Sequence, residues 1–193
     1  DFRRSRGLGD VYKRQVVNEG IVDLTGKLDP EINTVKDLIT LNMEDDAEEY
    51  IVGKTEDLSL SDITFLPVIP NPEKIMCIGL NYLEHKKETG RPDVDNPTIF
   101  TRFADSQVAH LQPLIKPDKS DRFDYEAEMA IIIGKGGRFI SEKDALNHIA
   151  GYSCYNDGSV RNYQRHTSQF TPGKNFPGTG GFGPYLVTPS EVG

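Results

Sequence analysis

Hydrophobic and polar positions change rhythm most clearly at residues 121–134, DRFDYEAEMAIIIG. A polar opening gives way to a continuous apolar run at 129–133. The pattern predicts a strand whose far half is buried on both faces. Two further apolar stretches, 74–80 (KIMCIGL) and 98–103 (TIFTRF), also read as strands. Residues 152–157 (YSCYND) predict a strand that delivers Asp157 at its end, and 185–187 a last short strand. Helical spacing occurs at 34–41, where Val35, Leu38 and Ile39 share a face behind Thr34 as cap. A second short helix is expected at 47–52. The SEKD at 141–144 has the form of a capping box, predicting a helix with Ala145, Leu146 and Ile149 inward and Gly151 as its stop. Residues 165–184 are rich in Gly, Pro and Thr and read as a long loop.

The punctuation divides the chain. Residues 1–15 are basic and turn-rich without hydrophobic periodicity, and read as a non-native or disordered tail. Residues 16–70 form a small leading module with a hairpin around Asn18-Glu19-Gly20, closed by the prolines at 67, 70 and 72. Residues 71–193 carry the main domain.

Composition narrows the function classes. The chain has 193 residues, 36% hydrophobic and 27% charged, with no apolar run long enough to span a bilayer, so no membrane partner is expected. A net charge of −8 argues against nucleic acid. Residues 44–49 hold much of that charge and read as a solvated helix face. Two cysteines, Cys77 and Cys154, make no metal-type pair and fit a reducing, cytoplasmic setting.

Candidate chemistry starts in the focal strand. Glu126 and Glu128 are two apart, so their carboxylates share one face about 7 Å apart. Two such anions repel unless something cationic lies between them. Asp157 is a third acid at a strand end. His85 and Glu88, three apart in the segment after 74–80, fall on one face of a helical turn, where the carboxylate orients the imidazole as a general base. That helix, between a strand and the polar loop 91–96, has the form of a lid. Gly134–Gly137 (GKGG) lacks a phosphate-loop fingerprint and reads as a turn. His148 reads as a helix-surface residue.

Together, KIMCIGLNYLEHKKETG, DYEAEMAIIIG, ISEKDALNHIAGYSCYNDGSVRNYQ and GKNF…GFGPYLVT resemble the fumarylacetoacetate hydrolase family, in order and with its spacing over most of 74–193. The resemblance implies an α+β fold with a mixed β-roll, barrel-like core, short helices and a small N-terminal module, assembled as a homodimer. It implies Glu126, Glu128 and Asp157 as metal ligands and His85 with Glu88 as the lid dyad. Lys174 is implied as a catalytic cation, and Arg161, Gln164 and Tyr82 as substrate-binding residues. The implied metal is Mg2+, with Mn2+ or Ca2+ as alternatives, which an all-oxygen donor set suits. The implied substrate is a small oxo acid, with metal-dependent hydrolysis of a C–C bond in an acylpyruvate-like β-dicarbonyl acid as the first expectation. Isomerase, hydratase or lyase chemistry on a 2-oxo acid is the alternative, and a non-catalytic metal-binding module stands outside the enzyme class. Two positions depart from the family pattern: Asn162 stands where aspartate is usual, and Leu80 where arginine is common. Later roll strands of the family are not represented, so the chain reads as a C-terminally truncated fragment.

Overall fold

The computed structural model of the chain describes residues 14–17, 20–82 and 95–192. Its leading part is built on a hairpin. Strand β1 (Arg14–Val17) pairs antiparallel with β2 (Gly20–Asp23), and β3 (Leu58–Ser59) adds to the other edge of β2. Arg14 and Gln15, which the pattern places in the tail, pair with Asp23 and Val22, because backbone pairing needs no hydrophobic periodicity of its own.

Helix α1 (Val35–Thr40) starts where expected, with Asp37 N donating to Thr34 Oγ1 at 3.1 Å. Helix α2 (Glu44–Ile51) begins three residues before the predicted 47. The run Glu44, Asp45, Asp46 is its first turn, where carboxylates oppose the positive end of the helix dipole. Leu38 joins Val22, Leu24, Ile32 and Ala47 in one apolar cluster. Ile39, one residue on, joins Val68, Ile69, Ile132 and Phe182 in a second. Helix α1 thus pins the leading segment to the sheet that follows.

Strands β4 (Ile75–Gly79) and β5 (Thr98–Arg102) pair antiparallel. A 3-10 turn, Ala104–Ser106, leads into β6 (Gln107–Ala109). After β7 (Phe123–Asp124) come β8 (Ala127–Ile133), β9 (Ile149–Asp157) and β10 (Ser159–Val160). Helices α3 (Arg161–Gln164) and α4 (Thr171–Lys174), β11 (Gly180–Phe182) and α5 (Pro189–Val192) complete the chain. The main sheet runs β6-β11-β9-β8, with β11 parallel to β6 and antiparallel to β9; β10 and β7 form a separate pair. The fold is therefore α+β with mixed sheets and short helices, as expected.

Four local expectations are corrected. Strand β8 is not buried on both faces: it is an edge strand, Ile132 is buried, and Met129, Ile131 and Ile133 are exposed. An unbroken apolar run does not reveal whether a second layer covers it. The segment after Ser141 is a 3-10 helix, Glu142–His148, with Leu146 exposed; Ser141 Oγ donates to the Asp144 side chain at 2.5 Å and caps no backbone N–H. Ile149 and Gly151 belong to β9, and Gly151 is small because a Cβ there would lie 2.6 Å from Val187 O. The glycine-rich stretch holds α4 and β11, whereas 185–187 contributes a single bridge, Tyr152 to Val187.

Candidate active site

The open end of β9 and the entry to β8 meet at Glu126 and Asp157. Asp157 N donates to Glu126 O at 2.9 Å, and Glu126 N donates to Asn156 Oδ1 at 3.2 Å. This fixes the two acids as neighbours across the ladder. Glu126 and Glu128 are half-buried while Tyr125, Ala127 and Met129 are exposed, so the two-residue period puts both glutamates on the inner side. Asp157 is buried.

Three cations come to these acids from other elements. Helix α4 delivers Lys174, whose side chain is 1% exposed; Nζ donates to Glu126 Oε2 at 2.8 Å and to Asp157 Oδ2 at 2.6 Å. Its preceding residue is glycine because a Cβ on Gly173 would sit 2.3 Å from Gln164 N, which seats α4 directly on α3. Arg161, the first residue of α3, donates from Nε (2.9 Å) and Nη2 (2.8 Å) to Asp124 Oδ2, and from Nη1 to Glu126 Oε1. Gln164 Oε1 accepts from the same Nη1 at 3.1 Å. Arg102, the last residue of β5, donates from Nη1 to Asp157 Oδ1 and to Gly158 O (3.1 Å), from Nη2 to Thr179 Oγ1 (2.8 Å), and from Nε to Ser106 Oγ (3.2 Å).

The electrostatics follow from this pairing. Burial alone would raise the Glu126 carboxyl, but the ammonium of Lys174 and the guanidinium of Arg161 outweigh it and hold Glu126 below the usual carboxylate range. Glu128 goes the other way. Burial lifts it, the nearby carboxylates of Glu126 and Asp157 add to that, and a hydrogen bond from Tyr82 opposes without winning. The Tyr82 hydroxyl also accepts Met129 N at 3.4 Å. Burial pushes the Cys77 thiol up to about 12, with the Asp157 carboxylate contributing, so Cys77 faces the cluster as an un-ionised side chain.

The structure thus brings together Glu126, Glu128, Asp157, Lys174, Arg161, Gln164 and Tyr82. His85 and Glu88 lie outside the described residues. Among the described residues no three acids, histidines or cysteines stand arranged as a finished metal cluster. The Lys174 ammonium occupies the gap between two of the three proposed ligands. The donor chemistry nevertheless suits a hard divalent cation, because every proposed ligand atom is a carboxylate oxygen and Glu128 has no ammonium or guanidinium partner among the described residues. Arg161 aims Glu126 in this arrangement: Nε and Nη2 donate to Asp124 and Nη1 to Glu126 and Gln164, while the side chain stays 23% exposed.

Sequence reasoning missed Arg102, Asp124 and Thr179. Arg102 had a readable signal. In TIFTRF it falls two after Phe100, and both are buried while Ile99 and Thr101 are exposed. An arginine on the buried face of a strand requires a buried acid to meet it.

The mixed α+β fold gathers half-buried carboxylates, a buried lysine and two arginines at one sheet end. The comparisons name the class: residues 74–193 match the family model described as Fumarylacetoacetate (FAA) hydrolase C-terminal, and the chain belongs to the fumarylacetoacetate hydrolase family. It is 44% identical over 137 residues to the mitochondrial oxaloacetate tautomerase fahd2 of Xenopus laevis, covering 70% of this chain and 43% of that protein. The chain spans about half the length of the curated relatives it matches. Among solved structures it is similar to fumarylacetoacetate hydrolase from psychrophilic Exiguobacterium antarcticum (27% identity, TM-score 0.67, covering 92% of this chain and 66% of that one). It shares the fold of maleylpyruvate hydrolase from Sphingobium sp. SYK-6, solved in complex with manganese(II) and pyruvate (23% identity, TM-score 0.73, covering 92% of this chain and 64% of that one).

Proposed function

We propose that this chain supplies the acid and lysine centre of a metal-dependent enzyme acting on a small 2-oxo acid through its enol or enolate. The observation that carries the reading is the convergence of Glu126 and Asp157 on the buried Lys174 ammonium, with Glu128, which has no salt-bridge partner among the described residues, beside them. Glu126, Glu128 and Asp157 are the residues that would hold a divalent cation, Mg2+ first, Mn2+ or Ca2+ otherwise. Such a cation supplies Lewis-acid polarisation of the oxo group. Lys174 Nζ donates to the substrate oxygen on which negative charge gathers. Arg161, Gln164 and Tyr82 bind the carboxylate end, and Arg161 also keeps Glu126 aimed.

Two reactions share that enolate. Tautomerisation of a short oxo diacid moves a proton and breaks no C–C bond; similarity to a protein named oxaloacetate tautomerase favours it. C–C hydrolysis of an acylpyruvate-like acid also needs an attacking water, for which His85, oriented by Glu88, is the proposed base. A homodimer is proposed alongside. The exposed row Met129, Ile131 and Ile133 on β8 supports it, and sedimentation velocity tests it: a single monomeric species at all concentrations refutes it.

The test measures both reactions with the full chain, stripped with EDTA and then given Mg2+ or Mn2+. Loss of the oxaloacetate enol and loss of an acylpyruvate chromophore are followed by absorbance. Metal-dependent conversion of at least one substrate is expected, with Lys174→Met lower by about 10²–10³-fold. Neither conversion exceeding the uncatalysed rate overturns the reading.

A further inference from the structure

Four carboxylates at the site, those of Asp124, Glu126, Glu128 and Asp157, face three cationic groups, those of Arg102, Arg161 and Lys174. The three cations are not held alike. Arg102 is tied to Thr179, Ser106 and Gly158 as well as to Asp157, so its guanidinium is part of the frame. Arg161 is braced by Asp124 and Gln164. Lys174 has two acceptors among the described residues, Glu126 Oε2 and Asp157 Oδ2, and both are oxygens of proposed cation ligands. A lysine is also a single charge on a flexible four-carbon stem, whereas each arginine is a planar fork fixed at several points.

We infer that Lys174 is a built-in counter-ion that holds Glu126 and Asp157 together while no divalent cation is bound, and that competes with the cation for those same two oxygens. The inference rests on the metal reading above and deepens it. Without the ammonium, two neighbouring carboxylates in a half-buried site repel each other. With it, an arriving dication meets a positive charge within hydrogen-bond reach of the oxygens it needs. Binding therefore requires Nζ to leave at least one of them. The displaced ammonium is then available to a substrate oxygen, which links cation uptake to arming of the lysine.

Calorimetric titration of Mn2+ into the full chain tests this with Lys174→Met, which keeps the stem and removes the charge, and Lys174→Arg, which keeps the charge. Lys174→Met is expected to bind Mn2+ at least about tenfold more tightly than the parent, because a Coulomb repulsion at contact distance is removed. It is also expected to unfold at lower temperature than the parent in EDTA, with Mn2+ closing the gap. Lys174→Arg is expected to bind no more tightly than the parent. Equal or weaker binding by Lys174→Met overturns the inference while leaving the metal reading intact. No Mn2+ uptake by parent or variant overturns both. A measurement on the parent covers the case of an unfolded variant: acetylation of Lys174 by acetic anhydride, read by mass spectrometry, is expected to be faster in Mn2+ than in EDTA. An unchanged or slower rate refutes displacement.

Discussion

Replacing Arg102 by methionine isolates the pair that anchors Asp157. The Arg102 side chain is fully buried and the Asp157 side chain is 5% exposed, so neither charge is solvated once its partner is gone. Breaking a buried pair from one side costs about 3–5 kcal/mol. Two features place Arg102→Met at the low end. Lys174 still donates to Asp157 Oδ2, so the carboxylate is not left bare. Ser106 and Thr179 keep their own donations to Phe103 O and Phe176 O, at 2.7 Å each, and lose only an incoming bond. What goes fully unpaired is Asp157 Oδ1, together with one contact to Gly158 O. The expected loss is therefore about 3 kcal/mol, or about 6–12 °C in Tm for a chain of this size. Thermal unfolding followed by circular dichroism, with and without Mn2+, reads it. The double variant Arg102→Met/Asp157→Asn is expected to lose less than the sum of the two singles, because each single strands the other partner. A Tm for Arg102→Met within about 2 °C of the parent would refute the claim that this buried pair holds the site. The exposed pair Lys116–Asp121 is the control, and Lys116→Ala is expected to leave Tm unmoved.

The glutamates titrate with opposite signs. Glu128 is raised on folding, mainly by burial, so the folded chain binds its proton more tightly and loses stability as pH climbs from the ordinary glutamate value of about 4.3 through the raised one. Glu128→Gln removes that slope: without divalent cation it is expected to show a higher Tm than the parent near neutral pH, with the gap closing in acid, and a lower Tm at neutral pH contradicts the assignment. Glu126 is lowered, because Lys174 and Arg161 outweigh its burial; its contribution is present above the ordinary value and lost as pH falls through the folded one, so Glu126→Gln is expected to be destabilising near neutral pH. Gly158→Ala would place a Cβ 2.1 Å from Thr179 O and 2.9 Å from the Phe123 ring, next to Asp157. Overpacking there is expected to cost about 1–3 kcal/mol in urea unfolding, and an unchanged midpoint shows that the backbone gives way freely.

The acids were legible because they sit on or directly beside strands with a readable period. Glu126 and Glu128 lie two apart beside an apolar run, and Asp157 ends a strand. Their counter-ions were less so. Lys174 was picked out by resemblance as a catalytic cation, but nothing local in TPGKNF says that its ammonium lies between two particular carboxylates. Arg102 stood in plain view on the inward side of β5 and was passed over because its strand was read for its apolar residues alone. The reading of β8 as doubly buried failed for a related reason: apolar content records the preference of a residue for cover, not the presence of a covering layer.

By itself the sequence determined strands β4, β5, β8 and most of β9, the Thr34 cap, the common face of the two glutamates and the family. These depend on neighbours within a few positions, where periodicity and capping act. Only the tertiary structure decided which cation meets which acid, since Arg102 and Asp157 are 55 positions apart and Lys174 and Asp157 are 17 apart. Strand register and the seating of α4 on α3 set those distances, and at charge separations under 3 Å a shift of one residue in either would dissolve the cluster.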